Sequence, residues 1–313
     1  MNKSEKLAPI VLFVYNRLDH TKQTIKALQH NTLANQSVLY IYSDGPKNKD
    51  AEAVVTALRD YLKSIDGFKD VKLFEREKNY GLAKNIIEGV TDIIHTYGRA
   101  IVLEDDLITS KYFLEYMNKA LETYKHTGNI YSITGFNFST QFIKYPADYK
   151  DDVFLNIRPM SWSWATWKDR WDLVDWAISD YDEFSKNSDQ QKEFNKGGTD
   201  LSRMLKNQMK GKINSWYIRW TYNAYKQKKL TIYPRISYIN NIGHDITGTH
   251  CVEDTNDIYS HMELNNSPIG ELTFDLPFNQ EIVNSFNRGF NTNYLKILKR
   301  KLKKFSYRLR GSK

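Results

Sequence analysis

The chain has one cysteine, Cys251, in 313 residues. It cannot form an internal disulfide, which excludes a disulfide-stapled secreted scaffold and any cysteine-cluster metal site. Nothing beside Cys251 marks it as reactive, so it reads as an inert thiol. No apolar run approaches the roughly 18 to 20 residues of a membrane-spanning helix. The longest, Ala8 to Tyr15, is short and contains Pro9. Lys3 and Lys6 precede it, but no small-residue cleavage pattern follows, so no signal peptide is read. No internal repeat or low-complexity linker breaks the chain. A reducing cytoplasm is the expected compartment.

Acidic residues are missing from one stretch. Tyr294 to Lys313 holds nine Lys or Arg and no Asp or Glu, in a chain of net charge +8. The preceding residues are therefore close to neutral, and the globular body is not expected to read nucleic acid. Leu295, Leu298, Leu302, Phe305 and Leu309 are spaced three and four apart, one apolar stripe of a helix whose other faces are basic. Such a helix suits the anionic inner face of the cell membrane, where the protein would be peripheral. A solvated helix, a dimerisation stripe and phosphate neutralisation on nucleic acid are the other readings. The expected organisation is a single globular domain over 1–290, with halves 1–128 and 129–290, and a basic amphipathic tail over 291–313.

What is present points to an α/β fold. Ile10 to Tyr15, Val38 to Tyr42, Val71 to Phe74 and Ala100 to Leu103 are apolar, β-branched runs of the kind buried in sheets. Helical patterns lie between them: Asp19 (a plausible N-cap) to Leu28, Ala51 to Ile65 with Val54, Leu58, Leu62 and Ile65 on one face, and Gly81 to His95. Tyr112 to Tyr124 is a further helix. This alternation predicts a mostly parallel sheet with helices on both faces, which binds ligands at the carboxyl ends of its strands. The polar clusters sit at those ends: Asn16 and Arg17, then Asp44, then Glu104-Asp105-Asp106. The second half is aromatic-rich, with all seven tryptophans between Trp162 and Trp220. Strands are expected at Asp152 to Asn156 and Leu230 to Tyr233, and helices near Thr199 to Lys210 and Trp216 to Lys228.

Three carboxylates in a row repel each other and resist desolvation unless a cation or solvent compensates. Mg²⁺ or Mn²⁺ takes one or two carboxylates together with phosphate oxygens. In an extended segment Glu104 and Asp106 would point one way and Asp105 the other. The plain alternative is an acidic cap ahead of the helix near Lys111.

The ordered series Pro9-Ile10-Val11-Leu12-Phe13-Val14-Tyr15-Asn16-Arg17, Tyr42-Ser43-Asp44-Gly45, Asn79-Tyr80-Gly81-Leu82-Ala83 and Val102-Leu103-Glu104-Asp105-Asp106-Leu107 is distinctive. So is its continuation through Ile133-Thr134-Gly135-Phe136-Asn137, Ser161-Trp162-Ser163-Trp164-Ala165-Thr166-Trp167, Trp216-Tyr217-Ile218-Arg219-Trp220 and Asn241-Ile242-Gly243-His244. Over residues 9 to 250 the chain resembles GT-A fold nucleotide-sugar glycosyltransferases. It is most similar to the N-acetylglucosaminyltransferase I-like group and to bacterial enzymes that build surface polysaccharide. The resemblance implies a Rossmann-like GT-A fold and a metal-dependent, inverting transfer from a UDP-sugar to a carbohydrate hydroxyl, including one on a lipid carrier. It implies that Asn16 and Arg17 line the nucleotide pocket, Arg17 near the pyrophosphate, and that Asp44 faces uracil or ribose. Gly81 and Leu82 would let the backbone pass close to the nucleotide. Asp106, with Glu104, would hold Mn²⁺ or Mg²⁺, while Asp105 would reach ribose or donor sugar.

The acceptor hydroxyl needs a general base. The related group places a carboxylate near the segment equivalent to Asn214 to Trp220, where this chain has none. Asp200, after Gly197-Gly198-Thr199, is the leading candidate, followed by Asp245, His244 and His250. Asp200 also reads as a helix cap. His244 and His250 are further readings as metal ligands. Most tryptophans are expected in the core, with Trp162, Trp164 and Trp220 as candidates to line an acceptor cleft. A nucleotidyltransferase on a similar sheet, and a non-catalytic adaptor acting through the basic tail, are the competing functions. The first usually has a Gly-rich phosphate loop, which Asn16-Arg17-Leu18-Asp19 lacks.

Overall fold

The computed structural model describes residues 6–243 and 263–291. Asp245, His244, His250 and Cys251, and the tail except Asn291, lie outside the described residues, so their expected roles have no structural counterpart here. The first half runs β1 (Ile10–Val14), α1 (Leu18–Gln29), β2 (Val38–Ser43), α2 (Lys49–Leu62), β3 (Asp70–Glu75), α3 (Leu82–Tyr97), β4 (Arg99–Glu104), β5 (Leu107–Thr109) and α4 (Phe113–Thr123). It continues through β6 (Ile130–Thr134), β7 (Val153–Asn156), β8 (Trp164–Trp167), α5 (Lys168–Trp171), α6 (Tyr181–Lys186), α7 (Ser188–Phe194), α8 (Leu201–Met209), α9 (Trp216–Lys226), β9 (Leu230–Pro234), β10 (Ile239–Asn241) and α10 (Gln280–Asn287).

Eight strands form one sheet in the order β3-β2-β1-β4-β8-β6-β9-β7, and β10 pairs with β5 in a small second sheet. β3, β2, β1 and β4 are mutually parallel, as are β6 and β9. β8 is antiparallel to β4 and β6, and β7 is antiparallel to β9. This is the mixed, mostly parallel α/β sheet of the GT-A fold. Every residue of β1 and β8 is buried, as befits interior strands covered on both faces.

The helices follow from their apolar stripes and ends. In α3, Ile86, Val90 and Ile94 are buried, and Gly98, left-handed at φ 77°, ends the helix. Asn48 caps α2 by accepting from the Ala51 amide at 3.1 Å, and Ser215 caps α9 at Ile218. Two local expectations change. Asp19 lies inside the first turn of α1, with Arg17 at the cap position and no side chain capping it. In α2 the core-facing residue is Val55, while Val54 is 44% exposed, because the stripe is set by Val55, Leu58 and Leu62.

The tryptophan-rich stretch is a strand. Trp164 of β8 sits opposite Val102 on one side and Thr134 on the other. Trp164, Trp171, Trp216 and Trp220 form one ring-on-ring cluster, with Trp164 5.1 to 5.7 Å from the other three. Trp164 and Trp220 are 1% and 0% exposed, so neither offers a face to a sugar, correcting the acceptor-cleft expectation. Burying a tryptophan is worth about 3 to 5 kcal/mol by truncation, which is reason enough for their presence. Trp162 is half-buried and packs edge-on against Phe136 at 4.9 Å.

Candidate active site

The parallel register places Val14 beside Ser43 and Phe13 beside Glu104, so β1, β2 and β4 end together. The N-terminus of α3 faces the same place. Between them lies a cavity of about 230 Å³, lined by Tyr15, Asp44, Gly81, Leu82, Glu104 and Asp105, with Lys47, Asn79 and Asn85. Five of the sequence-predicted residues therefore meet here. Asn16 is exposed beyond the end of β1 and is not among the lining residues.

Asp44 is 4% exposed and accepts four hydrogen bonds. Its Oδ1 takes the amides of Gly45 at 2.9 Å and Tyr80 at 2.7 Å. Its Oδ2 takes Asn79 Nδ2 at 3.1 Å and the Gly81 amide at 2.9 Å. Two oxygens with about four acceptor positions are thereby filled. Asp44 thus latches the loop before α3 to the end of β2, and the lone pairs expected to meet uracil or ribose are already engaged. Gly81 caps α3 at φ 72°, where an added Cβ would meet nothing, so it supplies backbone freedom rather than space.

Strand geometry stops at Glu104, and Asp105-Asp106 form a turn before β5. Glu104 and Asp105 both line the cavity, and Asp106 pairs with Arg17. Asp105 Oδ2 accepts from the Tyr15 amide at 3.3 Å, and Asp106 Oδ2 accepts from Arg17 Nη1 at 3.0 Å. The Thr24 hydroxyl donates to the Asp105 carbonyl and the Ile242 amide to the Asp106 carbonyl, both at 2.9 Å. Gly243 packs so closely that a Cβ there would lie 2.0 Å from Asp106 Oδ2. Burial, then the charges of Asp106 and Asp105, push the Glu104 carboxyl up to about 8. Burial and Asp106 raise Asp105 to about 7, against the Tyr15 amide and Arg17. Burial raises Asp106 too, despite Arg17.

Among the described residues no three His, Cys, Asp or Glu side chains converge as a closed metal cage. The acidic turn nevertheless fits a divalent cation. Its donors are all hard oxygens, and their raised pKa values mark negative charge that the protein leaves undercompensated. Mg²⁺ and Mn²⁺ sites of one or two carboxylates complete their shells from phosphate and water. The sign of the pH dependence follows. With no cation, these groups bind more protons folded than unfolded, so their contribution to stability is full at acid pH and lost as pH rises through about 7 to 8. The metal-free protein should lose melting temperature from about pH 5 to pH 8.5, and Glu104→Gln should flatten that slope. A slope unchanged in Glu104→Gln, followed by thermal unfolding, would count against this electrostatic picture.

Asp200 lies elsewhere. It holds the cap position of α8 but makes no capping bond. Its Oδ1 and Oδ2 accept from Arg158 Nη1 at 2.8 Å and Nη2 at 3.0 Å. Arg158 is 3% exposed and also donates to the Gly197 carbonyl at 3.0 Å. Asp200 thus stands at the cap position expected from sequence, with its carboxylate engaged as the counter-ion of a buried guanidinium instead of a helix amide. Arg158 was missed because nothing local distinguishes it. Tyr15 and Asn79 stood within the quoted motifs. Lys47 had a signal too, as the first basic residue after the Ser43-Asp44-Gly45-Pro46 turn.

Residues 10–185 match glycosyl transferase family 2. No curated protein matches the chain. Among solved structures, Staphylococcus aureus TarS is 12% identical, over 40% of this chain and 21% of that one, with a TM-score of 0.29. Its 1–349 fragment is 9% identical over 75% and 60%, at 0.42. The mannosyltransferase PcManGT from Pyrobaculum calidifontis, in complex with GDP-Man and Mn²⁺, is 8% identical over 54% and 49%, at 0.35. The chain spans at most 60% of the length of these structures. The family match takes in more than half of the chain, from β1 through the acidic turn to α6, and the protein belongs to glycosyl transferase family 2.

Proposed function

We propose that the protein transfers a sugar from a UDP-sugar to a hydroxyl of a carbohydrate acceptor, with inversion, using Mn²⁺ or Mg²⁺. The observation that carries this reading is the undercompensated acidic turn walling a cavity whose opposite side is the N-terminus of α3. Family membership supports a nucleotide-sugar donor, and the motif resemblance favours uridine. A non-catalytic adaptor needs no such site, and a nucleotidyltransferase, which also uses metal at acidic strand ends, usually has a Gly-rich phosphate loop that Asn16 to Asp19 lacks.

Sugar transfer releases a nucleoside diphosphate, and the barrier falls when that growing charge is met by fixed positive groups. A cation held by Asp106 and Glu104 would supply electrostatic stabilisation of the diphosphate. Arg17 stands beside Asp106 and would turn part of its guanidinium to a phosphate oxygen. The amides at the start of α3 add their partial positive charge. Lys47 closes the cavity on the side of β2 and would screen the leaving group. Asp105 would orient ribose or donor sugar. Because Asp200 is engaged by Arg158, Asp245 becomes the proposed base. It follows Gly243 by two residues, and Gly243 packs on Asp106.

Thermal unfolding with UDP or GDP, each with and without Mn²⁺, tests this. A ligand that binds only the folded state adds about 2.7 kcal/mol at a hundredfold excess over its Kd. UDP with Mn²⁺ should raise the melting temperature more than either alone. A larger shift with GDP would overturn the uridine assignment, and no shift with either would sink the donor site.

A further inference from the structure

A second cavity lies at the far side of the sheet. β8 is antiparallel to both β4 and β6, so β4 and β6 run the same way, and β9 runs with β6. Glu104 therefore leaves the sheet at one edge, and Leu230, which opens β9, enters at the other. Leu230 and Ile157 line a cavity of about 400 Å³ there. Phe194, Leu201 and Tyr225 complete its apolar walls. The Phe194 and Tyr225 rings are 5.1 Å apart, and the Tyr225 hydroxyl donates to the Gln190 carbonyl at 3.2 Å, so these walls are held in place.

The mouth is basic. Lys226, Lys228 and Lys229 stand where α9 turns into β9. Lys226 pairs with Asp180 at 2.6 Å, and the acid at the mouth, Glu193, pairs with Lys196 at 2.6 Å. Among the described residues Lys228 and Lys229 have no ion-pair partner. Lys228 is held at φ 52°, a conformation costly for a side-chain-bearing residue. The Lys228 amide donates to the Tyr225 carbonyl and the Lys229 amide to the Ala224 carbonyl, both at 3.0 Å. Lys229 is half-buried, and desolvation, then the charge of Arg170, push its pKa down against the opposing charge of Asp169. Lys228 is exposed and hydrated, while the half-buried Lys229 ammonium beside an apolar cavity would be favoured by an anion at the mouth, to which Lys228 adds a second positive charge.

We propose that this cavity is a second binding site, for a single-chain lipid phosphate, whose hydrocarbon fills the apolar walls and whose phosphate meets Lys228 and Lys229. Its volume lies within the range of small-molecule sites, about 300 to 1,000 Å³. Inorganic phosphate would leave the walls empty, and a neutral amphiphile would make no use of the positive charge at the mouth. Standing at the opposite sheet edge, the site does not compete with the donor cavity, and it holds whether or not the donor is a UDP-sugar.

Isothermal titration of the full chain with dodecyl phosphate, below its micelle concentration, tests the proposal. Lys228→Asn with Lys229→Gln should weaken binding about tenfold or more. Asparagine suits the left-handed backbone at 228, so the fold should persist, as a melting curve checks. Deleting residues 292–313 should leave binding intact. Equal affinity for dodecyl maltoside or inorganic phosphate would overturn the proposal. So would unchanged binding in the double variant, loss of binding on removing the tail, or no binding of dodecyl phosphate at all.

Discussion

Asp106→Ala should lower sugar transfer by about a thousandfold, the scale of losing a group that stabilises leaving-group charge. The same substitution should leave metal-free stability within about 1 kcal/mol of wild type. The two expectations share one cause. Asp106 raises the pKa of Glu104 and Asp105, and its own carboxyl is pushed up by burial in spite of Arg17. Ionised Asp106 is therefore a burden to the empty fold and useful only when positive charge is brought to it. Removing it relieves repulsion while taking one ion-pair partner from Arg17, and the two effects oppose. A purely structural Asp106–Arg17 pair would behave differently: Ala would lower stability and activity together. Chemical denaturation at pH 8 alongside initial rates separates the cases. Retention of more than about a tenth of wild-type transfer would remove Asp106 from the proposed site.

Asp200→Ala should cost about 3 to 5 kcal/mol of stability, because it leaves the buried Arg158 guanidinium without its counter-ion. The remaining neighbours do not replace it. The Gly197 carbonyl accepts one hydrogen bond, and the Phe290 ring, 3.8 Å away, offers only its face. Arg158→Met in the same molecule should recover most of the loss, since an apolar pair needs no charge balance. Transfer per folded molecule should change less than tenfold in the double variant. If Asp200→Ala instead melted like wild type and lost transfer, Asp200 would be the base after all. Urea titration and single-turnover rates on the two variants decide it.

The legible parts of the fold were those whose signals are local. β1 to β4 and α1 to α4 announce themselves by apolar runs, turn residues and three-to-four spacing. Asp44 and the acidic turn stood out because strand ends of a parallel sheet are where ligands bind, and Gly81 through the motif resemblance. β8 was not legible. Its partners are Val102 and Thr134, far away in sequence, and its Trp-Ala-Thr-Trp content reads equally as a sugar platform. β6 hid for a related reason: Ser132 and Thr134 interrupt its apolar run, yet both are buried, Ser132 against the Thr231 hydroxyl at 2.8 Å. The roles of Asp44 and Asp200 depend on partners 36 and 42 residues away. Each aspartate was conspicuous, while the groups that engage it were not.

The Asp44 latch has a kinetic consequence. Loop ordering is a cost that many binding sites meet only when the ligand arrives, and it slows capture and weakens affinity. Here three hydrogen bonds to Asp44 meet that cost during folding, because the segment Asn79 to Gly81 is fastened to the end of β2 before any nucleotide enters. Encounter then needs no rearrangement on this side of the cavity, and differences in affinity among nucleotides fall on how long each stays rather than on how fast each enters.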